Sequence, residues 1–114
     1  MNFKKKYSLE KRKEESNKIL LKYPEKIPII VERSKKCSLE DIDKNKYLAP
    51  QELTMAQFLY VIRKRIKLNS EEALYCFVDN ALPPCSSTLG CIYHEHKDED
   101  GFLYVKYCSE NVFG

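Results

Sequence analysis

The sequence predicts an α+β domain in which one mixed sheet has helices packed on a face. Residues 27–33 are rich in β-branched side chains, which favours a strand. Residues 55–66 place Phe58 and Ile62 one helical turn apart on an apolar face. Residues 102–107 alternate between two sets of side chains, as a strand does. Strands on both sides of a connecting helix favour one mixed sheet, and 114 residues suit one domain.

The remaining N-terminal elements are a polar helix and a short strand. Residues 8–22 predict a helix that Ser8 caps and that ends before Pro24. Residues 46–50 predict a strand that Pro50 closes. The helix is expected to bury only one thin apolar stripe, made of Leu9, Ile19 and Leu20.

The C-terminal half completes the pattern. Thr54 is the expected cap of the helix at 55–66. Residues 75–79 predict a third strand, and Ser87 is the expected start of another helix. Gly101 ends an acidic turn in which glycine can take positive φ.

Composition excludes several classes of protein. A net charge of +3 is too small to indicate a dedicated nucleic-acid binder. No apolar run approaches the roughly 20 residues of a membrane span. Five cysteines, an odd number, without a hydrophobic leader predict a reduced, intracellular protein. Basic residues gather in the first 36 positions, and 4–6 and 11–13 form a patch that we expect to be a secondary contact surface for anionic lipid, tubulin or RNA.

The cysteines and histidines do not predict an active site or a cofactor. Cys85, Cys91, His94 and His96 are close in sequence, but their spacing is not that of a zinc site. No His–Asp pair can be assigned that would make Cys76 or Cys108 a nucleophile. Both cysteines are interpreted as core or strand residues. The sequence therefore predicts no metal, no cofactor and no enzyme activity.

Several blocks of residues, in order along the whole chain, resemble one family. These are Lys22-Tyr23-Pro24, 27–33, 43–50, Leu53-Thr54, Gln57-Phe58, 62–66, Phe77-Val78, Leu82-Pro83-Pro84, 95–104 and the final Phe113-Gly114. Together they are similar to the autophagy ubiquitin-like modifiers, which include the GABA-receptor-associated protein and the microtubule-associated light chain.

The resemblance implies a ubiquitin-like β-grasp fold with a four-stranded sheet and two extra N-terminal helices. The whole chain, 1–114, would be a single ubiquitin-like domain. Residues 1–24 would be the helical extension, 25–109 the β-grasp core and 110–114 a flexible conjugation tail.

The resemblance also implies a reaction cycle in which the chain is a substrate and not a catalyst. A cysteine protease exposes Gly114, an activating enzyme adenylates it, and a carrier enzyme passes it to phosphatidylethanolamine. The lipid-linked protein would lie on the autophagosome membrane and the free protein in the cytoplasm. On that membrane the lipid-linked protein would recruit cargo receptors.

Family members bind short peptides in which an aliphatic residue follows an aromatic one after two other residues. By resemblance, an aromatic pocket is expected from Glu15, Ile19, Pro28, Lys46, Leu48 and Phe102. An aliphatic pocket is expected from Tyr47, Ala49, Pro50, Leu53, Phe58 and Val61, with Ala49 where the family usually has a larger side chain. Lys44 and Arg65 would favour acidic residues beside the motif.

Other readings remain open at this point. Apolar residues at helical spacing are usually core, so Ile19, Leu53 and Phe58 could simply be buried. The chain could be a peptide-binding trafficking or cytoskeletal adaptor that is never conjugated. It could also be joined to proteins instead of lipid, or serve the membrane of another organelle.

Overall fold

The structure, a computed structural model, describes residues 2–110 and contains one four-stranded sheet and four helices in that range. Along the chain the elements are α1 (Phe3–Lys6), α2 (Leu9–Lys22), β1 (Lys26–Arg33), β2 (Lys46–Pro50), α3 (Met55–Arg65), β3 (Tyr75–Phe77), α4 (Leu89–His96) and β4 (Leu103–Cys108). The strand order is β2-β1-β4-β3. The central pair β1–β4 is parallel and the two outer pairs are antiparallel, so the sheet is mixed, as predicted.

Both faces of the sheet are covered, which explains why six consecutive residues of β1 are buried. One set of alternate side chains in β1, including Ile27 and Ile29, joins residues of α3 and α4 in the main core. The other set, including Ile30, packs on the opposite face with Phe3 and Phe102. The N-terminal helices therefore add a second layer to the sheet.

Most predicted boundaries are confirmed to within a few residues. Ser8 and Thr54 accept hydrogen bonds from the first turns of α2 and α3, as caps do, and Thr54 forms a full capping box with Gln57. The cap of α4 is Thr88 and not the predicted Ser87. Strand β4 runs one residue later than expected, to Cys108.

The predicted third strand is too long. Strand β3 ends at Phe77, and Val78 forms only an isolated bridge with Ala81. The next two residues, Asp79 and Asn80, have φ values of 50° and 62°. Such left-handed residues turn the chain away from the sheet, so the strand cannot continue to residue 79.

The buried stripe of α2 is polar, which corrects the sequence-based expectation. Its buried residues are Arg12 and Ser16, whereas the predicted Leu9, Ile19 and Leu20 are only half-buried. Arg12 Nη1 donates to Asp100 Oδ2 over 2.7 Å, and Ser16 Oγ donates to the Asp100 carbonyl oxygen. These polar groups are buried because each has a partner on the connection before β4.

Asp100 connects this contact to the sheet. Its carboxylate also accepts hydrogen bonds from the Tyr104 hydroxyl, at 2.5 Å, and from the Phe102 N–H, at 2.8 Å. Burial and the bond to Asp100 raise the pKa of Tyr104. We call Arg12, Ser16, Asp98, Asp100 and Tyr104 the N-terminal clasp, since it holds α2 against the sheet.

The clasp makes one pH dependence predictable. Burial acts to raise the pKa of Asp98, but the hydrogen bond from Lys4, at 2.5 Å, and the charge of Arg12 outweigh it and lower the pKa. A lowered carboxyl pKa stabilises the fold above the unfolded value of 3.8, and this is lost as pH falls through the folded pKa. Asp98→Asn should therefore cost up to about 1 kcal/mol at neutral pH and nothing well below pH 3.8.

Urea unfolding at a series of pH values measures this difference, with the exposed Glu99→Gln as control. A difference between parent and Asp98→Asn that stays constant across the acid range would contradict the prediction.

A second prediction concerns Gly101, where α2 and the connection before β4 approach closely. Its φ is 91°, and an added Cβ would lie 2.5 Å from Ser16 Oγ. Gly101→Ala should cost about 2 kcal/mol of unfolding free energy, because both the backbone and the contact would be strained. Gly90→Ala is the matched control, since the nearest atom to its Cβ would be Gln51 Cβ at 3.2 Å and its φ is not positive. Equal losses in the two variants would contradict this reading.

Candidate functional site

Strand β2 lies at the edge of the sheet and carries the residues expected to bind a peptide. It pairs with β1, and the register runs from Lys26 opposite Pro50 to Ile30 opposite Lys46. No other strand within residues 2–110 pairs with its outer edge. An edge strand leaves a row of backbone N–H and C=O groups available to a further strand. Since side chains alternate along β2, the expected pocket residues divide between its two faces.

On the face covered by α1 and α2, Lys46 is the central residue. Its ammonium group pairs with the Glu15 carboxylate. It also lies 5.3 Å from the ring centroid of Phe3 and 5.9 Å from that of Tyr7. Lys46 is 43% exposed, so this side chain covers an aromatic surface from the solvent side and could move away from it.

The other expected members of the aromatic pocket lie on this face too. Leu48 is 40% exposed and is the register partner of the buried Pro28. Phe102 is only 1% exposed and packs edge-on against Phe3, with ring centroids 5.4 Å apart. Ile19 is half-buried against the same cluster. Leu48 is thus the accessible apolar group, and Phe102 and Pro28 lie beneath the surface.

The expected aliphatic pocket lies on the opposite face of β2, above the main core. Tyr47 meets Phe58 edge-on with ring centroids 5.6 Å apart. Phe58 is 1% exposed and Ala49 is 5% exposed, so both belong to the main core. For Phe58 this is the sequence-based alternative that it is simply buried. Leu53 and Val61 are the accessible members of this set. Pro50 is exposed too, but by strand alternation it lies on the same face of β2 as Lys46 and Leu48.

The two flanking cations differ in their contacts. Lys44 Nζ lies 5.1 Å from the Tyr47 ring centroid. Arg65 Nε donates to Asp43 Oδ1 over 2.9 Å, and this hydrogen bond lowers the pKa of Asp43. Both cations are exposed. The Tyr47 hydroxyl is buried and has no hydrogen-bond partner within residues 2–110. Burial raises the pKa of Tyr47, and the charge of Arg65 opposes this.

Phe3 and Tyr7 lie beneath Lys46, beside the expected aromatic pocket, and the sequence did not predict them there. Helix α1 has only four residues and no periodicity that a sequence pattern could reveal. The available signal was the i, i+4 spacing of two aromatic residues just before the capped helix α2. Their rings, 5.1 Å apart, form the surface beneath Lys46.

The cysteines and the N-terminal cations are arranged as follows. Burial raises the pKa of Cys76 to about 12, and Cys76 and Cys108 are buried strand residues, as interpreted. His96 Nδ1 lies 2.7 Å from Asp79 Oδ2. In the described part of the chain no cluster of three potential ligands could hold a metal ion. Arg12 and Lys4 pair with the acidic turn, so the expected N-terminal basic patch is smaller than its sequence indicates.

Comparisons with known proteins decide the family. Residues 11–114 match the family model described as "Autophagy protein Atg8 ubiquitin like". This chain belongs to the Atg8 family. It is 55% identical over 113 residues to autophagy-related protein 8d of Arabidopsis thaliana, covering 99% of this chain and 94% of that protein. It is 54% identical to autophagy-related protein 8 of Mycosarcoma maydis, covering 98% of this chain and 95% of that protein.

The fold agrees with that of a solved Atg8. The crystal structure of Trypanosoma brucei ATG8 superposes with a TM-score of 0.90 at 36% identity, over 95% of this chain and 93% of that chain. The ubiquitin-like fold with two N-terminal helices is therefore confirmed, and the chain is an autophagy-related ubiquitin-like protein. No helix within residues 2–110 is long and apolar enough to cross a membrane. Gly114, the expected conjugation site, lies outside the described residues.

Proposed function

We propose that this Atg8-family chain is a modifier, and not an enzyme, that is joined through Gly114 to phosphatidylethanolamine and recruits peptide-bearing partners to a membrane. Its partners would be a cysteine protease, activating and carrier enzymes, and cargo receptors. The free form would be cytoplasmic and the conjugated form would lie on the autophagosome. Membership of the family supports the conjugation cycle.

The observation that carries peptide binding is the division of the expected pocket residues between the two faces of β2, an edge strand whose outer edge no strand within residues 2–110 covers. Residues three apart in an extended peptide point to opposite faces, because the side-chain period of a strand is two. A peptide strand added to β2 would therefore send its aromatic residue toward Leu48 and Lys46. Its aliphatic residue would point toward Leu53 and Val61. Backbone hydrogen bonds would supply affinity and the two pockets specificity.

The charges around β2 favour acidic peptides. Lys44 is exposed, and so is Arg65, whose Nε donates a hydrogen bond to Asp43. Lys46 would have to leave Glu15 for an aromatic side chain to reach Phe3 and Tyr7. An acidic residue beside the aromatic one could replace the Glu15 carboxylate as partner of Lys46.

One alternative is an adaptor that keeps this groove and is never conjugated. No observation on the described residues favours it over the modifier. The two differ only in their need for Gly114, so the reactivity of that residue discriminates between them.

Gly114→Ala should slow transfer to lipid at least about tenfold, equivalent to about 1.4 kcal/mol in the barrier. The added Cβ lies beside the carboxyl carbon that must react, where an enzyme channel has the least room. Purified activating and carrier enzymes, ATP and phosphatidylethanolamine vesicles would measure the rate. Gly90→Ala is the control because it makes the same substitution at a glycine whose φ is not positive and leaves the tail intact. Equal rates for Gly114→Ala and the parent would contradict conjugation at Gly114.

A further inference from the structure

Strands β1 and β4 are parallel, so the residues that follow both strands leave the sheet at the same end. After β4 the chain continues through Ser109 toward Gly114, six residues beyond Cys108. After β1 it enters a turn that carries Lys35 and Lys36. Six extended residues span at most about 20 Å, so a lipid on Gly114 would hold this end of the fold close to the bilayer.

The turn is fixed to the end of β4. The Ser34 N–H donates to the Tyr107 carbonyl oxygen over 2.9 Å, and the Cys37 N–H donates to the Ser34 carbonyl oxygen over 3.1 Å. Arg33 Nη1 donates to the carbonyl oxygens of Cys37 and Leu39, each over 3.1 Å. Lys35 and Lys36 therefore lie on an ordered turn beside the point where the chain leaves β4 toward Gly114.

A third lysine lies on the same end. Lys106 and Lys35 line one cavity of about 170 Å³ next to the start of α1. Lys35, Lys36 and Lys106 are exposed, and none of them forms an ion pair within residues 2–110. We call these three residues the tail-proximal lysines. Their unpaired charges are available to an external anion.

Carboxylates near this surface are partly occupied by other groups. Asp41 pairs with Arg33 Nε over 3.0 Å, and Glu32 accepts the Phe3 N–H over 2.6 Å. Glu40 and Glu110 remain exposed on this end. Glu32 keeps its negative charge but is only 8% exposed. The three exposed tail-proximal lysines therefore outnumber the two exposed carboxylates that have no ion pair within residues 2–110, and the exposed charge favours a negatively charged partner.

We propose that the tail-proximal lysines contact anionic lipid headgroups when the chain is anchored at Gly114. This inference rests on the proposed lipid conjugation. A lipid chain together with basic residues holds a protein at a membrane better than either alone. The contact would also orient the fold with the Lys35–Lys36 turn toward the bilayer.

The test attaches the full chain to vesicles through a hexahistidine tag placed after Gly114 and nickel-chelating lipid. Vesicles contain phosphatidylcholine alone or phosphatidylcholine with phosphatidylserine, with the same share of nickel lipid. On the phosphatidylserine vesicles, Lys35 and Lys36 should be protected from acetylation by a water-soluble reagent, as read by mass spectrometry. Lys97, at the opposite end of β4, should stay reactive on both kinds of vesicle.

Affinity provides the second readout. K35E/K36E should weaken binding to phosphatidylserine vesicles by about tenfold or more, since each lysine near an anionic surface contributes about fivefold. The matched control K22E/K97E makes the same change in net charge among exposed lysines far from the tail, and should keep most of the affinity. Circular dichroism would show whether each variant is folded.

Absence of protection at Lys35 and Lys36, or equal losses in the two charge variants, would overturn the proposal. So would slower enzymatic transfer of K35E/K36E with unchanged vesicle binding, since that result would assign the surface to the carrier enzyme. Because the tag replaces the enzymatic bond, such failures would leave conjugation at Gly114 unaffected. A failed conjugation reaction would instead remove the proposed anchor itself.

Discussion

Asp100→Ala is expected to lower the free energy of unfolding by about 3–5 kcal/mol. The Asp100 side chain is fully buried and that of Arg12 is 10% exposed, so the change leaves a guanidinium with little access to water and without its main partner. The Tyr104 hydroxyl and the Phe102 N–H lose their acceptor at the same time. Urea unfolding followed by circular dichroism measures the loss.

Two further variants separate charge from hydrogen bonding. Asp100→Asn can still accept the Phe102 N–H but cannot neutralise Arg12, and it should recover only part of the loss. Glu99→Ala, at an exposed neighbouring position, should change stability by less than about 0.5 kcal/mol. If Asp100→Ala and Glu99→Ala had equal effects, the clasp would not hold the N-terminal helices to the sheet.

Leu48→Ala is expected to weaken binding of an aromatic-x-x-aliphatic peptide at least about tenfold, equivalent to about 1.4 kcal/mol. Leu48 is the accessible apolar group on the α1–α2 face of β2, and its removal deprives the peptide's aromatic ring of contact area. Because Leu48 is 40% exposed in the free protein, the fold should be little affected. Isothermal titration calorimetry measures the affinity.

Leu82→Ala is the matched control, because Leu82 is a leucine of similar exposure, 46%, distant from β2 in the chain. A second control moves the aliphatic residue of the peptide one position closer to the aromatic one. Both side chains would then point to the same face, and binding should be lost although composition is unchanged. Equal peptide affinity for Leu48→Ala and the parent would show that this groove is not the peptide-binding site.

Strand β1 could be predicted from its run of β-branched residues, and helix α3 from the helical period of its apolar side chains. Residues 27–33 and 46–50 correspond to β1 and β2 closely, and Phe58 and Ile62 are core residues of α3. These elements bury apolar side chains, and apolar periodicity is what a sequence pattern records.

The N-terminal clasp could not be predicted in this way. Arg12 and Ser16 are polar, so periodicity assigns them to solvent, and their partners on Asp100 lie more than 80 positions away in the chain. The turn at Asp98–Gly101 was recognised from sequence as a turn only. Its second role, to accept hydrogen bonds from α2, depends on a tertiary contact that no local pattern contains.

The candidate groove depended on the family resemblance. Alternation within residues 46–50 divides their side chains between two faces, but it does not tell which helix covers each face. The structure adds Phe3 and Tyr7 beneath Lys46, and it shows that Phe58 and Phe102 are buried. Phe3 and Tyr7 were not predicted to belong to the groove, and Phe58 and Phe102 are more buried than the predicted groove residues would be. Both differences are set by how α1 and α3 pack.

The most direct test of the modifier function is the mass of the conjugate. The full chain is incubated with purified activating and carrier enzymes, ATP and phosphatidylethanolamine vesicles, and the product is analysed by intact and fragment mass spectrometry. The account predicts the addition of one phosphatidylethanolamine through an amide on Gly114. An unmodified chain, in a reaction that lipidates a control modifier, would contradict it, and so would attachment to protein amines alone.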